Sequence, residues 1–238
     1  LRFGSSNKYA KVLDFFAGSA TTADAVMSLN AEDGGSRQYI MVQLHEPTRE
    51  GTAAHEKGYR FIDDISRARI EKAAAKIKKE NPLLADTQDL GFKHYRVVKP
   101  EQPTLDAINN YDPNQIELFN DMISPFSGES LHVPGNATGI DTILTTYLVQ
   151  DGYKFDEQVT DLNLAGYDSS YVGKTRVYLV AEHWGSEQTK ALVNLIGTNA
   201  ITVQTVIVYG YSFAMESMRE LEIALSQLEA KVNLVVRY

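Results

Sequence analysis

The stretch Val12-Leu13-Asp14-Phe15-Phe16-Ala17-Gly18-Ser19-Ala20-Thr21-Thr22 decides the fold. Lys11 to Phe16 is apolar enough for a buried strand, Ala17 to Ala20 are small enough for a ligand to approach the backbone, and a helix is predicted from about Thr21. The first N–H groups of a helix have no partner inside it, and the helix dipole adds partial positive charge there. Such a turn therefore favours a carboxylate or a phosphate. No Lys-Ser or Lys-Thr pair follows Gly18, which argues against a nucleoside triphosphate loop. A dinucleotide fold wants G-x-G-x-x-G, and this turn has one glycine. The alternative is an ordinary strand-to-helix turn of an α/β domain.

Working outward, Thr22 to Leu29 reads as a helix closed by the turn residues Asn30 to Ser36, and Gln38 to Leu44 as a second strand. Near-continuous apolar strands joined by a helix imply a parallel sheet covered on both faces. Ligands of such sheets sit at the carboxyl ends of the strands, which is where Ser19, Gln43 and Glu46 fall. His45 to Glu56 is a polar loop. Ile62 to Glu80 is the clearest helix, with Ile62, Ile65, Ile70, Ala73 and Ile77 on one face and Arg67, Lys72, Lys76, Lys78 and Lys79 outside it. Those cations read as a solvated helix face, with a phosphate-contacting role as the alternative. Asn81-Pro82 stops the helix, Gly91 to Val98 reads as a strand, and Lys99-Pro100 to Pro103 leads into the second half. The expected organisation is a domain over residues 1–99, a linker over 100–103 and a second small α/β domain over 104–238.

A chain of 238 residues with 43% hydrophobic content can bury a core. Zero cysteines exclude disulfides, thiolate metal sites and a cysteine nucleophile. His55-Glu56-Lys57-Gly58-Tyr59 begins like a zinc-protease motif, but Tyr59 stands where the second histidine is needed. The other histidines, His45, His94, His132 and His183, have no ligand spacing, so no metal site is expected. No signal segment and no apolar run long enough for a membrane span are evident, and the cytoplasm is the expected location. Leu1 opens the chain without Met, just before the first strand, as in a piece of a longer protein. Residues 1–100 carry 16 Lys and Arg against 13 Asp and Glu, whereas residues 101–238 carry 7 against 18. Duplex DNA pairs with cations, so the acidic second half reads as an interaction domain.

In that half, Ile116 to Met122 has helical character, Ser124 to Gly139 is a loop and Ile140 to Val149 a helix. Gln158 to Leu164 and Ser169 to Val172 form a hairpin. Thr175 to Ala181, Val203 to Tyr209 and Val232 to Val236 are strands alternating with helices over Ser186 to Ile196 and Ala214 to Ala230. Met215, Met218, Leu221, Leu225 and Leu228 make a core stripe on the last helix. Glu182-His183-Trp184, at a strand's carboxyl end, is the one cluster with catalytic residue types, and packing is its ordinary reading.

Asp14 to Thr22 resembles the D-x-F-x-G-S-G-T-T turn of amino-methylating DNA methyltransferases, and the resemblance runs on through Ala23 to Gly35 and Arg37 to Leu44. With Gly58-Tyr59, Asp64-Ile65, Arg67, Arg69-Ile70 and Asp89 to Lys93, the first hundred residues resemble the modification subunit of type III restriction-modification systems. The resemblance implies a partial Rossmann-like sheet that holds S-adenosylmethionine and serves methyl transfer to N6 of adenine. Asp14 would orient the turn; Phe16, Ala17, Gly18, Ser19 and Thr21 would hold the amino-acid end of the cofactor; Gln43, or failing it Glu46, would meet the ribose. Ala20 stands where the broader pattern has glycine, so a left-handed backbone there would weigh against cofactor binding. The family's Asp-Pro-Pro-Tyr motif is missing: Asp112-Pro113-Asn114, Asn81-Pro82-Leu83 and Ser124-Pro125-Phe126 each lack the second proline. No catalytic residue is therefore assigned, and the chain alone is expected to be inactive. The implied partners are duplex DNA through an upstream portion, a second modification subunit and a restriction subunit. The alternative is a non-catalytic dimerisation or subunit-docking module.

Overall fold

The computed structural model describes residues 7–84, 87–112 and 121–238. The chain divides into two compact units, Leu1–Tyr95 and Arg96–Tyr238. In the first, β1 (Lys11–Asp14) and β2 (Gln38–Met41) pair in parallel, with Lys11 opposite Gln38 and Asp14 opposite Met41. The crossover between them is α1 (Thr21–Asp33). A short helix α2 (Ala53–Glu56) follows, then α3 (Ile62–Glu80), which starts and stops where its apolar spacing predicts.

Alternation along the strands sends Tyr39 and Met41 to the helix side, against a core of Ala20, Ala23, Met27, Ile70, Ala73, Ala74, Ile77 and Leu90. Leu13 and Ile40 point to the other face, where both stay half exposed. The turn after α1 is fastened by the buried pair Asn30 and Arg37. The Asn30 amide donates to the Arg37 carbonyl at 2.9 Å and accepts from its N–H at 3.1 Å, while the guanidinium grips both Asp33 oxygens. Gly34 ends the helix in the left-handed conformation, its N–H on the Asn30 carbonyl. Helix α1 runs four residues further than predicted because Asn30 serves the inside of the turn.

The strand predicted over Gly91 to Val98 does not form. Among the described residues β1 and β2 pair only with each other, and Gly91 to Val98 adds no strand to either open edge. Leu90 and Phe92 pack on the first core instead.

In the second unit α4 (Gln102–Asn109) and α5 (Gly139–Gln150) precede a five-stranded sheet in the order β3-β4-β5-β6-β7. The expectations at Pro113, Asn114 and Ile116 lie outside the described residues. Strands β3 (Val159–Leu164), β4 (Tyr167–Val172) and β5 (Arg176–Leu179) are antiparallel. Strands β6 (Thr205–Tyr209) and β7 (Asn233–Arg237) continue from β5 in parallel, reached through α6 (Ser186–Gly197) and α7 (Met215–Ser226). The β3–β4 turn is tighter than the four residues predicted. Ala165 and Gly166 both take positive φ, 51° and 86°, which makes a two-residue turn whose twist suits a hairpin.

Both faces of this sheet are covered. Val177, Leu179, Val206 and Val208 face α6 and α7 with Leu192, Leu221 and Trp184, while Tyr178, Val180, Ile207 and Tyr209 face α5 with Ile143 and Tyr147. On the α5 side the carboxylate of Asp151, the residue after α5, gathers three donors. It accepts from the Tyr178 hydroxyl at 2.6 Å and the Arg237 guanidinium, and Arg176 stands 3.3 Å away. The arginines lie over the Tyr153 and Tyr147 rings. Burial pushes the Asp151 carboxyl up, but the bonds from Arg237 and Tyr178 and the two cationic charges hold it below the usual carboxylate range.

A carboxylate depressed in the folded state stabilises the fold above its unfolded pKa of about 3.9 and loses that contribution as pH falls through the folded value. Removing one partner of a fully buried pair costs roughly 3–5 kcal/mol; both arginines reach solvent, so Asp151→Asn is expected to cost about 2 kcal/mol at pH 7. The gap from wild type should close below about pH 4. Urea titrations followed by the fluorescence of Trp184, the single tryptophan and a residue of this unit's core, check both statements.

Candidate functional site

The turn between β1 and α1 is built by side chains from three elements. Asp14 ends β1, and both its oxygens are engaged: Oδ1 accepts from the Phe16 N–H at 2.9 Å, Oδ2 from the Thr22 hydroxyl at 2.6 Å. The Thr22 bond first, then the Phe16 bond, hold this carboxyl below its usual range. Strand pairing continues one step past β1, with Val42 N–H on the Asp14 carbonyl and Ala17 N–H on the Val42 carbonyl. Beyond β2, Gln43 reaches across: its Oε1 accepts from the Gly18 N–H at 2.8 Å and its Nε2 donates to the Leu44 carbonyl at 3.1 Å. From α3, the Ser66 hydroxyl donates to the Gly18 carbonyl at 2.5 Å. Gly18 is thus held at both its N–H and its C=O.

The backbone is left-handed at Gly18 (φ 53°) and again at Ala20 (φ 58°). The alanine methyl is fully buried in the first core. An L-residue in this region carries roughly 1–2 kcal/mol of strain that glycine lacks, and burying the methyl offsets about 0.8 kcal/mol of it. The feature that weighed against cofactor binding is therefore present, and its cost falls on the turn. The left-handed path itself is one that glycine follows freely. Ala20 is the N-cap of α1 and supplies no side-chain cap, so the first N–H groups of the helix keep their donor capacity. The Ser19 and Thr21 hydroxyls lie 3.3 Å apart beside them. Phe16 and Leu44 stand out on the surface, 91% and 72% exposed. Asp14, Phe16, Ala17, Gly18, Ser19, Thr21 and Gln43 are thus brought together around one turn, with Glu46 three residues past Gln43 on the exposed chain.

Sequence reasoning passed over a second cluster beside this turn. His45 Nδ1 lies 2.8 Å from Asp63 Oδ1, and its ring stacks on Phe61 at 3.7 Å between centroids. Arg67 bonds Asp63 at 2.7 Å and Asp64 at 2.5 Å, and Asp64 also accepts from the N–H groups of Arg60 and Phe61 at the start of α3. The i, i+4 spacing of Asp63 and Arg67 was the readable signal.

Other tempting groups have structural partners. His55 Nδ1 lies 3.0 Å from the Thr48 hydroxyl and Nε2 2.6 Å from Arg60. Trp184 is buried, donates to the Thr189 hydroxyl at 2.9 Å and packs edge-on to Tyr167. His183 beside it is exposed and left-handed. Ser124–Phe126 is a 3-10 turn whose ring packs on the second core. Among the described residues no three His, Asp or Glu side chains stand where they could hold a metal ion.

Comparison with known proteins gives this geometry its family. The domain family described as the type III R-M EcoP15I C-terminal domain matches residues 138–234. The StyLTI Mod subunit of a type III restriction-modification enzyme from Salmonella typhimurium is 51% identical over 98% of this chain and 37% of its own length. The chain matches a C-terminal portion of the type III Mod subunits. The EcoP15I Mod subunit of Escherichia coli is 33% identical over 95% of the chain and 32% of its own length. The type II methyltransferase M.KpnI of Klebsiella pneumoniae is 46% identical over 61 residues, 26% of this chain and 15% of its own. The chain therefore spans about a third of the length of the Mod subunits it matches.

Asp14→Ala removes the acceptor of both bonds that turn β1 into α1. Amide hydrogen exchange over residues 15–22 is expected to accelerate while α5 to β7 keep their protection, as read by mass spectrometry.

Proposed function

We propose that this chain supplies the cofactor-binding strand, turn and helix of a DNA methyltransferase that moves a methyl group from S-adenosylmethionine to N6 of adenine, within a type III restriction-modification system. The observation that carries the reading is the turn at Gly18. It is clamped by Gln43 and Ser66, and it leads into a helix start that no side chain caps. The backbone of Phe16, Ala17 and Gly18 shapes the turn around the amino-acid end of the cofactor. The uncapped N–H groups at the start of α1 and the hydroxyls of Ser19 and Thr21 receive its carboxylate, which the dipole of α1 favours, and the hydroxyl oxygens can accept from its ammonium. Asp14 sets the turn. Gln43 uses one lone pair of Oε1 and one N–H of Nε2 within the chain; a second of each is left to meet the ribose hydroxyls. Bound there, S-adenosylmethionine supplies the methyl group. No residue of this chain is assigned to grip the flipped adenine, so the groups that accept its amino hydrogens belong to another part of the enzyme, and this chain alone is inactive.

The partners that follow are duplex DNA, a second Mod subunit and the restriction subunit, in the cytoplasm. The structure has no helix long and apolar enough to cross a membrane among the described residues. The acidic balance of residues 101–238, and the match of 138–234 to a family of its own, favour a subunit-docking role for the second unit beside the first unit's cofactor role.

Calorimetric titration tests the cofactor reading. S-adenosylmethionine and S-adenosylhomocysteine are expected to bind and ATP not to. In a full-length Mod subunit, Gly18→Asp should weaken cofactor binding by about tenfold or more, because it adds a side chain at positive φ and a negative charge where a carboxylate is held. Unchanged affinity in that variant would sink the assignment. For the second unit, light scattering should show self-association of the chain or its capture by the restriction subunit; a strict monomer with affinity for neither removes the docking role.

A further inference from the structure

Helix α3 carries cations that the cofactor turn does not use. Arg69, Lys72, Lys76 and Lys79 recur at three- and four-residue spacing, which aligns them in one stripe, and all four are exposed. The buried residues Ser66, Ile70, Ala73, Ala74 and Ile77 occupy a different face. The stripe is about 15 Å long at 1.5 Å per residue. Carboxylates offset little of it: Asp24 lies 3.5 Å from Arg69 and Glu80 3.9 Å from Lys76, all on the solvent side. The Lys72 ammonium sits 3.1 Å from the Tyr59 hydroxyl and over its ring, contacts that orient a cation without neutralising it. Arg67 is engaged by Asp63 and Asp64 and stands apart.

We propose that this stripe is a contact surface for the phosphate backbone of duplex DNA. A straight row of cations about 15 Å long needs an anion row of comparable length. A duplex presents one charge per about 1.7 Å of axis and is already ordered, whereas an acidic peptide would lose chain entropy to lie along it. The stripe also has a direction, since Arg69 follows by three residues the Ser66 that holds the Gly18 carbonyl. A backbone tracked along α3 is led toward the cofactor turn. Contacts of this kind position a duplex without reading its sequence. The choice of DNA rests on the methyltransferase reading, and the surface extends duplex contacts to this chain.

The test is fluorescence anisotropy of the 238-residue chain with a labelled random-sequence duplex of about 25 base pairs, from about 50 to 200 mM salt. The triple variant Lys72→Gln, Lys76→Gln, Lys79→Gln should lower the salt slope by about 2–3 and weaken binding about tenfold or more at the low-salt end. The control Lys154→Gln, Lys190→Gln, Lys231→Gln, on exposed lysines of the second unit, should change neither. Circular dichroism confirms that both variants fold. Three results overturn the proposal: no duplex binding by the parent chain, equal losses in the two variants, or polyglutamate bound as tightly as the duplex. Titration of the stripe variant with S-adenosylmethionine keeps the two readings apart. Retained cofactor binding with lost DNA binding is expected, and failure of the parent chain to bind cofactor counts against the methyltransferase reading alone.

Discussion

Both oxygens of the Asp14 carboxylate are bonded within eight residues of chain, to the Phe16 N–H and the Thr22 hydroxyl, and the geometry of the first unit follows from that. The two bonds fix how β1 becomes α1, which fixes where Gly18 lies. Gln43 and Ser66 then reach it from the neighbouring strand and from α3. A turn with two left-handed residues would be soft by itself. Here it is held from outside, which is how a binding turn can be both open to a ligand and ordered before the ligand arrives.

The second unit solves a different problem. Its sheet is covered on both faces, and its charged network is half-buried at the edge of the α5 side, with Asp151 between Arg176 and Arg237. Among the described residues of this unit, no strand-to-helix turn is clamped from neighbouring elements as the turn at Gly18 is. Its aromatic groups are engaged in packing: Trp184 with Tyr167 and Phe213, Tyr211 with Tyr111 and Tyr238. The division of labour proposed for the chain, cofactor in one unit and assembly in the other, corresponds to this contrast and to the opposite charge of the two halves.

Most elements were legible because their signals are local. The apolar spacing from Ile62 to Ile77 gave α3 to the residue, and the alternation after Thr175 gave every strand and helix of the last third within a few positions. What escaped depended on partners distant in sequence. Gly91 to Val98 has strand composition, but Leu90 and Phe92 at its start pack on the helix-side core, and the segment extends neither edge of the two-stranded sheet. The hairpin turn was drawn too long because Ala165 is not a residue that advertises a positive φ. Around the candidate site, residue types located the turn, but periodicity says nothing of which amide Gln43 accepts from or that Ser66 lies against Gly18. Arg67 was grouped with the free cations of α3, and its capture by Asp63 and Asp64 leaves Arg69 as the first member of the stripe.

Ala20 has one more consequence, for how this turn can change over time. The backbone angle at position 20 admits glycine without strain, asparagine and aspartate at small cost and alanine at moderate cost, and it disfavours β-branched and bulky side chains most. The packing admits a methyl, because the Ala20 side chain is fully buried in the core that α1 and α3 share. Conformation and volume together leave a two-letter alphabet. Drift at this position is therefore confined to an exchange between glycine and alanine. Any third residue would have to arrive together with a compensating loss of volume on α1 or α3.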